Sequence, residues 1–178
     1  ATESGLNFSV TRYQPRVEGG FARIERWMQD DTQDSHWRVT TKENVKSIFG
    51  RTPGARILDP HDPSRVFSWL IEETRDDRGN VMLFEYKGED STGVDPLKPQ
   101  YRNRLIDPAA FNNRYLKRVH YGNEMPFQAS GWLFELVFDY GDHDPSAPSV
   151  TESQPWPIRS DPFSDYRSGF EVRTQRLC

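Results

Sequence analysis

Proline and glycine interrupt this chain so evenly that no long helix fits between them. Thirteen prolines and twelve glycines are spread along 178 residues instead of being gathered in one linker, and each fixes or frees the backbone in a way that ends regular structure. What fits between the breaks is the short strand, and the intervening runs alternate apolar with polar residues as a half-buried strand does. The fold class expected is mainly β, made of antiparallel hairpins and a meander sheet with long polar loops. At most one short helix is expected, near Asp107 to Asn113, where Asp107-Pro108 offers an N-cap and then proline at the first helical position.

The stretch from Phe67 to Lys87 gives that reading its centre. Two apolar and aromatic runs flank a polar cluster holding Asp76, Asp77, Gly79 and Asn80, the pattern of two strands joined by a tight turn. Phe67, Trp69 and Ile71 fall on one face of the first arm, and Met82, Phe84 and Tyr86 fall together in the second. Upstream, Leu6 to Tyr13 alternates as the first strand. Phe21 to Met28 reads as extended, with a helical alternative open. Residues 36–41 and 45–49 form a hairpin around Lys42-Glu43-Asn44, closed by Gly50. Arg51 to Arg65, with Pro53-Gly54, Asp59-Pro60 and Asp62-Pro63, reads as loop. Downstream, Tyr115 to Tyr121 is expected to pair with Trp132 to Tyr140, whose Trp132, Phe134, Leu136, Phe138 and Tyr140 share one face. A Pro/Ser-rich loop over residues 142–157 then precedes a last, highly charged strand, Phe170 to Leu177.

Charge and composition narrow the function classes. A formal net charge of −4 offers no basic footprint for nucleic acid. The longest apolar runs fall far short of the roughly 18–20 residues that cross a bilayer as a helix. Cys178 is the sole cysteine, so disulfides within the chain and multi-thiolate metal sites are excluded. Hydrophobic residues make up 34% and aromatics 13%, which suits thin aromatic sheets under polar loops and not a disordered chain. The whole of 1–178 reads as one β-rich segment, with both ends expected to be cuts in a much larger chain.

No constellation of catalytic residues stands out. Asp142-His143-Asp144 has the residue types of a metal ligand set but no companions at metal-site spacing, so it reads as a solvated turn. Glu72, Glu73, Glu85 and Glu89 contain the carboxylates of a glycosidase pair, yet acids on a sheet more often oppose lysines and arginines across strands on an exposed face. Ser68, Ser130, His36, His61, His120 and His143 lie in no nucleophile frame, and His120 reads as a sheet residue. Arginines beside aromatics, as in Arg38 with Trp37 or Arg26 with Trp27, fit cation–aromatic packing better than a glycan or peptide platform. No catalytic, cofactor-binding or metal residue is therefore assigned, and no cofactor is expected.

Several longer runs resemble a known region. Arg12-Tyr-Gln-Pro-Arg-Val-Glu-Gly19, Arg65-Val-Phe-Ser-Trp-Leu-Ile-Glu-Glu73, Asn113-Arg-Tyr-Leu-Lys-Arg-Val-His-Tyr-Gly-Asn123 and Gly169-Phe-Glu-Val-Arg-Thr-Gln-Arg-Leu-Cys178 are similar, in order, to the SpvB-type region shared by plasmid virulence proteins and the B components of insecticidal toxin complexes. The resemblance implies a secreted toxin or virulence protein in which this region is a non-catalytic part of a β-rich shell. Its partners would be the propeller and Rhs-type shell of its own chain and C-component-like and A-component-like subunits. In the plasmid relatives the region precedes an actin-modifying ADP-ribosyltransferase, whose Glu-x-Glu pair this sequence lacks. The alternative from another class is a carbohydrate- or surface-binding β module using exposed aromatics. A leader region of an ADP-ribosyltransferase effector is the third reading.

Overall fold

The structure, a computed structural model, describes residues 1–102 and 111–178. Of the short helix expected at Asp107 to Asn113, all but the last three residues lie outside the described set, and those three are not helical. The described chain is nearly all strand: β1 Thr2–Glu3, β2 Leu6–Tyr13, β3 Arg23–Gln29, β4 Ser35–Thr40, β5 Lys46–Phe49, β6 Arg56–Leu58, β7 Val66–Trp69, β8 Ile71–Arg75, β9 Val81–Gly88, β10 Arg114–Asn123, β11 Trp132–Val137, β12 Ile158–Asp165 and β13 Val172–Arg176. One 3-10 turn, Pro53–Ala55, is the helical content among the described residues.

The chain forms two compact units, Ala1–Arg56 with Ser68–Glu85 and Val119–Leu136, and Ile57–Phe67 with Tyr86–Arg118 and Val137–Cys178. The first is built on an antiparallel meander in the order β1-β2-β3-β4-β5-β8-β9-β10-β11. Its registers follow the alternation in the sequence: Val10 opposes Trp27, Trp27 opposes His36, and Trp37 opposes Phe49. Of residues 21–28, read as extended with a helix as the alternative, Arg23 to Met28 are strand, while Phe21 before them sits at φ +50°. Such a run of arginine, isoleucine and tryptophan gains more from two strand neighbours than from an isolated helical turn.

The first arm of the expected central hairpin is not one strand. It breaks at Leu70, whose N–H donates to Ala55 O and whose carbonyl accepts from Gly50 N–H, both at 2.8 Å. Gly50 packs against the break. It has φ +59°, and a Cβ there would lie 2.6 Å from Trp69 Cδ1, so only glycine lets the indole pack against that backbone. Trp69 and Ile71 therefore belong to different strands, β7 pairing with β6 while β8 joins the large sheet. The β8–β9 hairpin itself forms as expected, Thr74 opposite Met82 and Arg75 opposite Val81. Residues 51–65, read as loop, also contain β6.

Gly79 closes the β8–β9 turn at φ +89° and carries a second duty. Its carbonyl accepts from Phe127 N–H at 2.8 Å and from Asn123 Nδ2 at 2.9 Å, anchoring the connection between β10 and β11. A Cβ on Gly79 would lie 2.7 Å from Pro126 Cβ and 2.9 Å from Phe127 N. Gly79→Ala is expected to cost at least about 1–2 kcal/mol from the left-handed backbone alone. Limited proteolysis should show residues 122–131 cut sooner than in the unaltered protein.

In the second unit β12 and β13 pair antiparallel, with a register shift between Ile158 and Phe163. The sequence reading has no strand at β12 because Pro162 and a polar run disguise it; the proline sits within the irregular stretch, the place in a sheet that tolerates one. All five residues of β13 are buried, four of them polar or charged.

Candidate functional site

Buried polar side chains form clusters in each unit. In the second unit one cluster centres on Asp142, which is fully buried. An Asx turn, Gly141 N–H to Asp139 Oδ1 at 2.7 Å, ends the run from β11 and turns the next residue inward. Lys117 Nζ donates to both Asp142 oxygens at 2.9 Å, to Phe138 O at 2.9 Å, and lies 3.0 Å from His143 Nε2. Lys87 Nζ donates to Asp142 Oδ2 and to Glu152 Oε2, each at 2.6 Å. The expectation of a solvated turn is corrected here: Asp142 and His143 are buried, and only Asp144, capping Ser146, stays in a turn.

Trp156 floors this centre. Its ring lies edge-on to Tyr115 at 5.3 Å and stacked on Tyr140 at 6.2 Å, with Lys87 Nζ 4.8 Å and the Arg176 guanidinium 5.5 Å from its centroid. Burial pushes the Asp142 carboxyl up, but the hydrogen bonds from Lys87 and Lys117 more than reverse that and hold it at about 2. The chemistry is that of a closed ion cluster. Two ammonium groups occupy the carboxylate, and neither a free nucleophile nor an open coordination position remains on it.

Beside it, Glu89 is buried and accepts from Tyr115 Oη at 2.7 Å and Gln175 N–H at 3.1 Å. Burial raises its carboxyl above the ordinary range despite those donors. Burial, then the Glu89 carboxylate, pushes the Tyr115 phenol up. Arg176 donates to Trp156 O, Thr92 O and Asp90, tying β13 to the loop after β9.

In the first unit Glu73, 2% exposed, pairs with Arg51 at 2.9 Å and with Arg75. Glu72 accepts from Thr52 N–H at 2.9 Å. Glu73 does meet arginines, as expected, but in the interior and not on an exposed face, whereas the buried Glu72 is held by a backbone N–H. Arg38 packs over Trp27, 3.6 Å from the ring centroid, donates to His36 Nε2 at 3.0 Å and pairs with Glu3. Its aromatic partner is thus across the strand pair, not the adjacent Trp37. Burial, with Arg38 and Arg51 nearby, lowers the His36 pKa to about 4. These groups border a hollow of about 390 Å³ whose walls include Leu6 and Phe8. His120 is a strand residue stacked on Trp132 and 3.3 Å from Glu85. Ser47 and Thr74 share a hydroxyl contact at 3.2 Å.

Sequence reasoning missed Lys87, Lys117, Glu152 and Trp156 as members of a centre. One signal was present: Lys117 has the parity of Tyr115, Val119 and Tyr121, so the alternation places a lysine on the inward face of β10.

The fold is shared with known proteins. The family model of the Salmonella virulence plasmid 65kDa B protein matches residues 1–178. The mono(ADP-ribosyl)transferase SpvB of Salmonella typhimurium strain 14028s is 38% identical over 185 aligned residues, 97% of this chain and 30% of that relative. The N-terminal domain of effector protein SpvB from Salmonella typhimurium strain LT2 superposes with a TM-score of 0.86 at 36% identity, over 97% of this chain and 57% of that one. The Photorhabdus luminescens Tc holotoxin pore contains a chain of which 9% matches 99% of this one, with a TM-score of 0.87 and 34% identity. The chain thus spans under a third of the length of the curated relatives it matches. On the match over its full length, the chain belongs to the family of the Salmonella virulence plasmid 65kDa B protein.

Proposed function

We propose that residues 1–178 are a non-catalytic scaffold segment of a secreted SpvB-type or toxin-complex B-type protein, contributing to the β-rich body that holds or delivers a toxic activity located elsewhere in the assembly. The observation that carries this reading is the closure of both polar centres: Asp142 and Glu73 are each engaged by two cations, as groups that lock strands together are. The same fold recurring in the N-terminal domain of SpvB and in a Tc holotoxin chain supports a part common to proteins with different remainders. On this reading the partners are the rest of its own polypeptide and toxin subunits like the TccC3 that accompanies TcdB2 in a solved relative.

The carbohydrate-binding alternative needs tryptophan and tyrosine platforms open to solvent. Trp27, Trp37, Trp69 and Trp132 are half-buried and Trp156 is buried, so no tryptophan is an open platform and the exposed tyrosine rings it could use are those of Tyr13, Tyr121 and Tyr166. The test is to place Glu73→Gln and Glu89→Gln separately in the parent protein. The scaffold reading expects lower unfolding midpoints, with turnover by the assembly's toxic activity unchanged per folded molecule. A selective loss of turnover at an unchanged midpoint would overturn it.

A further inference from the structure

One end of the large sheet is unfinished. β11 is its last strand, with β10 on one side and, among the described residues, no strand on the other. Leu133, Phe134 and Leu136 are 62%, 56% and 51% exposed. Leu133 points to one face, and Phe134 and Leu136 to the other, because strand side chains alternate. The preceding connection adds Met125 and Phe127, both more than half exposed, and Tyr121 stacks on Phe134 at 5.2 Å. This surface is built and held. Phe127 sits at φ +65°, a conformation that disfavours a bulky residue, and its N–H is fastened to Gly79 O.

An open edge with apolar side chains on both faces is a strand that pairs with whatever it meets. Edge-to-edge pairing with a second copy would satisfy the backbone but leave Leu133 and Phe134 wet on opposite faces. A partner laid on one face would leave the edge and the other face uncovered. What fits is continuing β structure that pairs with β11 and also wraps both faces, a geometry of chain interiors and not of reversible contacts. The relatives have chain to supply it: the match takes in 57% of the solved N-terminal domain of SpvB, leaving the rest of that domain to other sequence.

We propose that β11 is an internal docking strand, completed by further β structure of the same polypeptide, outside residues 1–178, that pairs with its edge and covers both of its apolar faces. The inference rests on reading the chain as part of a longer SpvB-type protein. In the full-length parent, Leu136 is replaced by p-benzoylphenylalanine, irradiated, and the cross-linked peptides are sequenced. The expected product joins Leu136 to a peptide of the same chain outside 1–178, and the same probe at Val17, 83% exposed in the β2–β3 loop, does not capture that peptide. Cross-linking to a second copy, to another subunit, only within 1–178, or to nothing would overturn the inference. Hydrogen exchange on the unaltered parent is the second measurement. Amides of residues 132–137 should exchange as slowly as those of β3, and exchange as fast as the β2–β3 loop would overturn the proposal even if the probe prevented folding. A parent whose intact mass equals residues 1–178 alone would sink the scaffold reading as well, whereas a longer parent without the cross-link sinks the docking strand only.

Discussion

Asp142→Asn should lower the stability of the protein by about 3–5 kcal/mol, because it leaves the buried Lys117 and partly buried Lys87 ammonium groups facing a neutral amide, with the half-exposed Glu152 as their remaining shared carboxylate. Lys117 is 6% and Lys87 16% exposed at the side chain, so neither recovers full hydration in place. The amide also offers an N–H₂ where a carboxylate oxygen accepted, turning one attraction into a clash of donors. A shift in the urea midpoint with unchanged slope is the measurement. The pH dependence gives an independent check. The Asp142 carboxyl is held at about 2 against an ordinary 3.8, so the unfolded chain takes up the proton first as the medium is acidified. Its contribution is complete above the ordinary value and is lost as pH falls from there toward about 2. The substituted protein should lack that part of the acid transition. His36 acts one window higher: with its pKa lowered from 6.5 to about 4, the unfolded chain again binds the proton first, and stability drops as pH falls through that interval. His36→Gln should flatten the upper window and leave the lower one intact.

Trp156→Ala should cost about 3–5 kcal/mol, the range for removing a large buried aromatic. The ring is 6% exposed, donates through Nε1 to Leu177 O at 2.7 Å, and touches Tyr115 and Tyr140. Its loss also removes the π face beneath Lys87 and Arg176, worth about 0.5–2 kcal/mol per desolvated pair. Trp156→Phe retains most of the packing and should lose little beyond the indole hydrogen bond, about 1 kcal/mol. Because Lys87 belongs to both the ring and the Asp142 cluster, the double substitution Trp156→Ala with Asp142→Asn should cost less than the sum. Additive losses would show that the aromatic floor and the ion cluster act separately.

Strand alternation made most of the first unit readable. Leu6 to Tyr13 is β2 at the expected bounds, and residues 36–41 and 45–49 flank a turn closed by Asn44 and Gly50, both with positive φ. The pairing of β10 with β11 also followed from their apolar parity. The break at Leu70 was not legible, because the Trp69 and Gly50 that meet beside it are 19 residues apart. Nor was the Asp142 centre: local sequence shows an Asp, a His and an Asp before proline, the composition of a turn, while the lysines that bury it come from 55 and 25 residues upstream. Charged residues lead a sequence reader to solvent by default, and β13, with Arg173, Gln175 and Arg176 all buried, reverses that default through partners no local window contains.

The burial of β13 also sets an order of events during synthesis. Gln175 reaches Glu89, and Arg176 reaches Asp90, each across 86 residues. A ribosome adding roughly 5–20 residues per second needs about 4–17 s to cover that separation. For that interval Glu89 and Asp90 are outside the tunnel without the strand that neutralises them, and the Trp156 floor lacks its last cation. The meander of β2 to β5 needs only near neighbours and has no such wait. A nascent chain is therefore half ordered while its second unit is still open, which makes the emergence of residues 172–176, and not that of the early strands, the step at which a chaperone would have to let go.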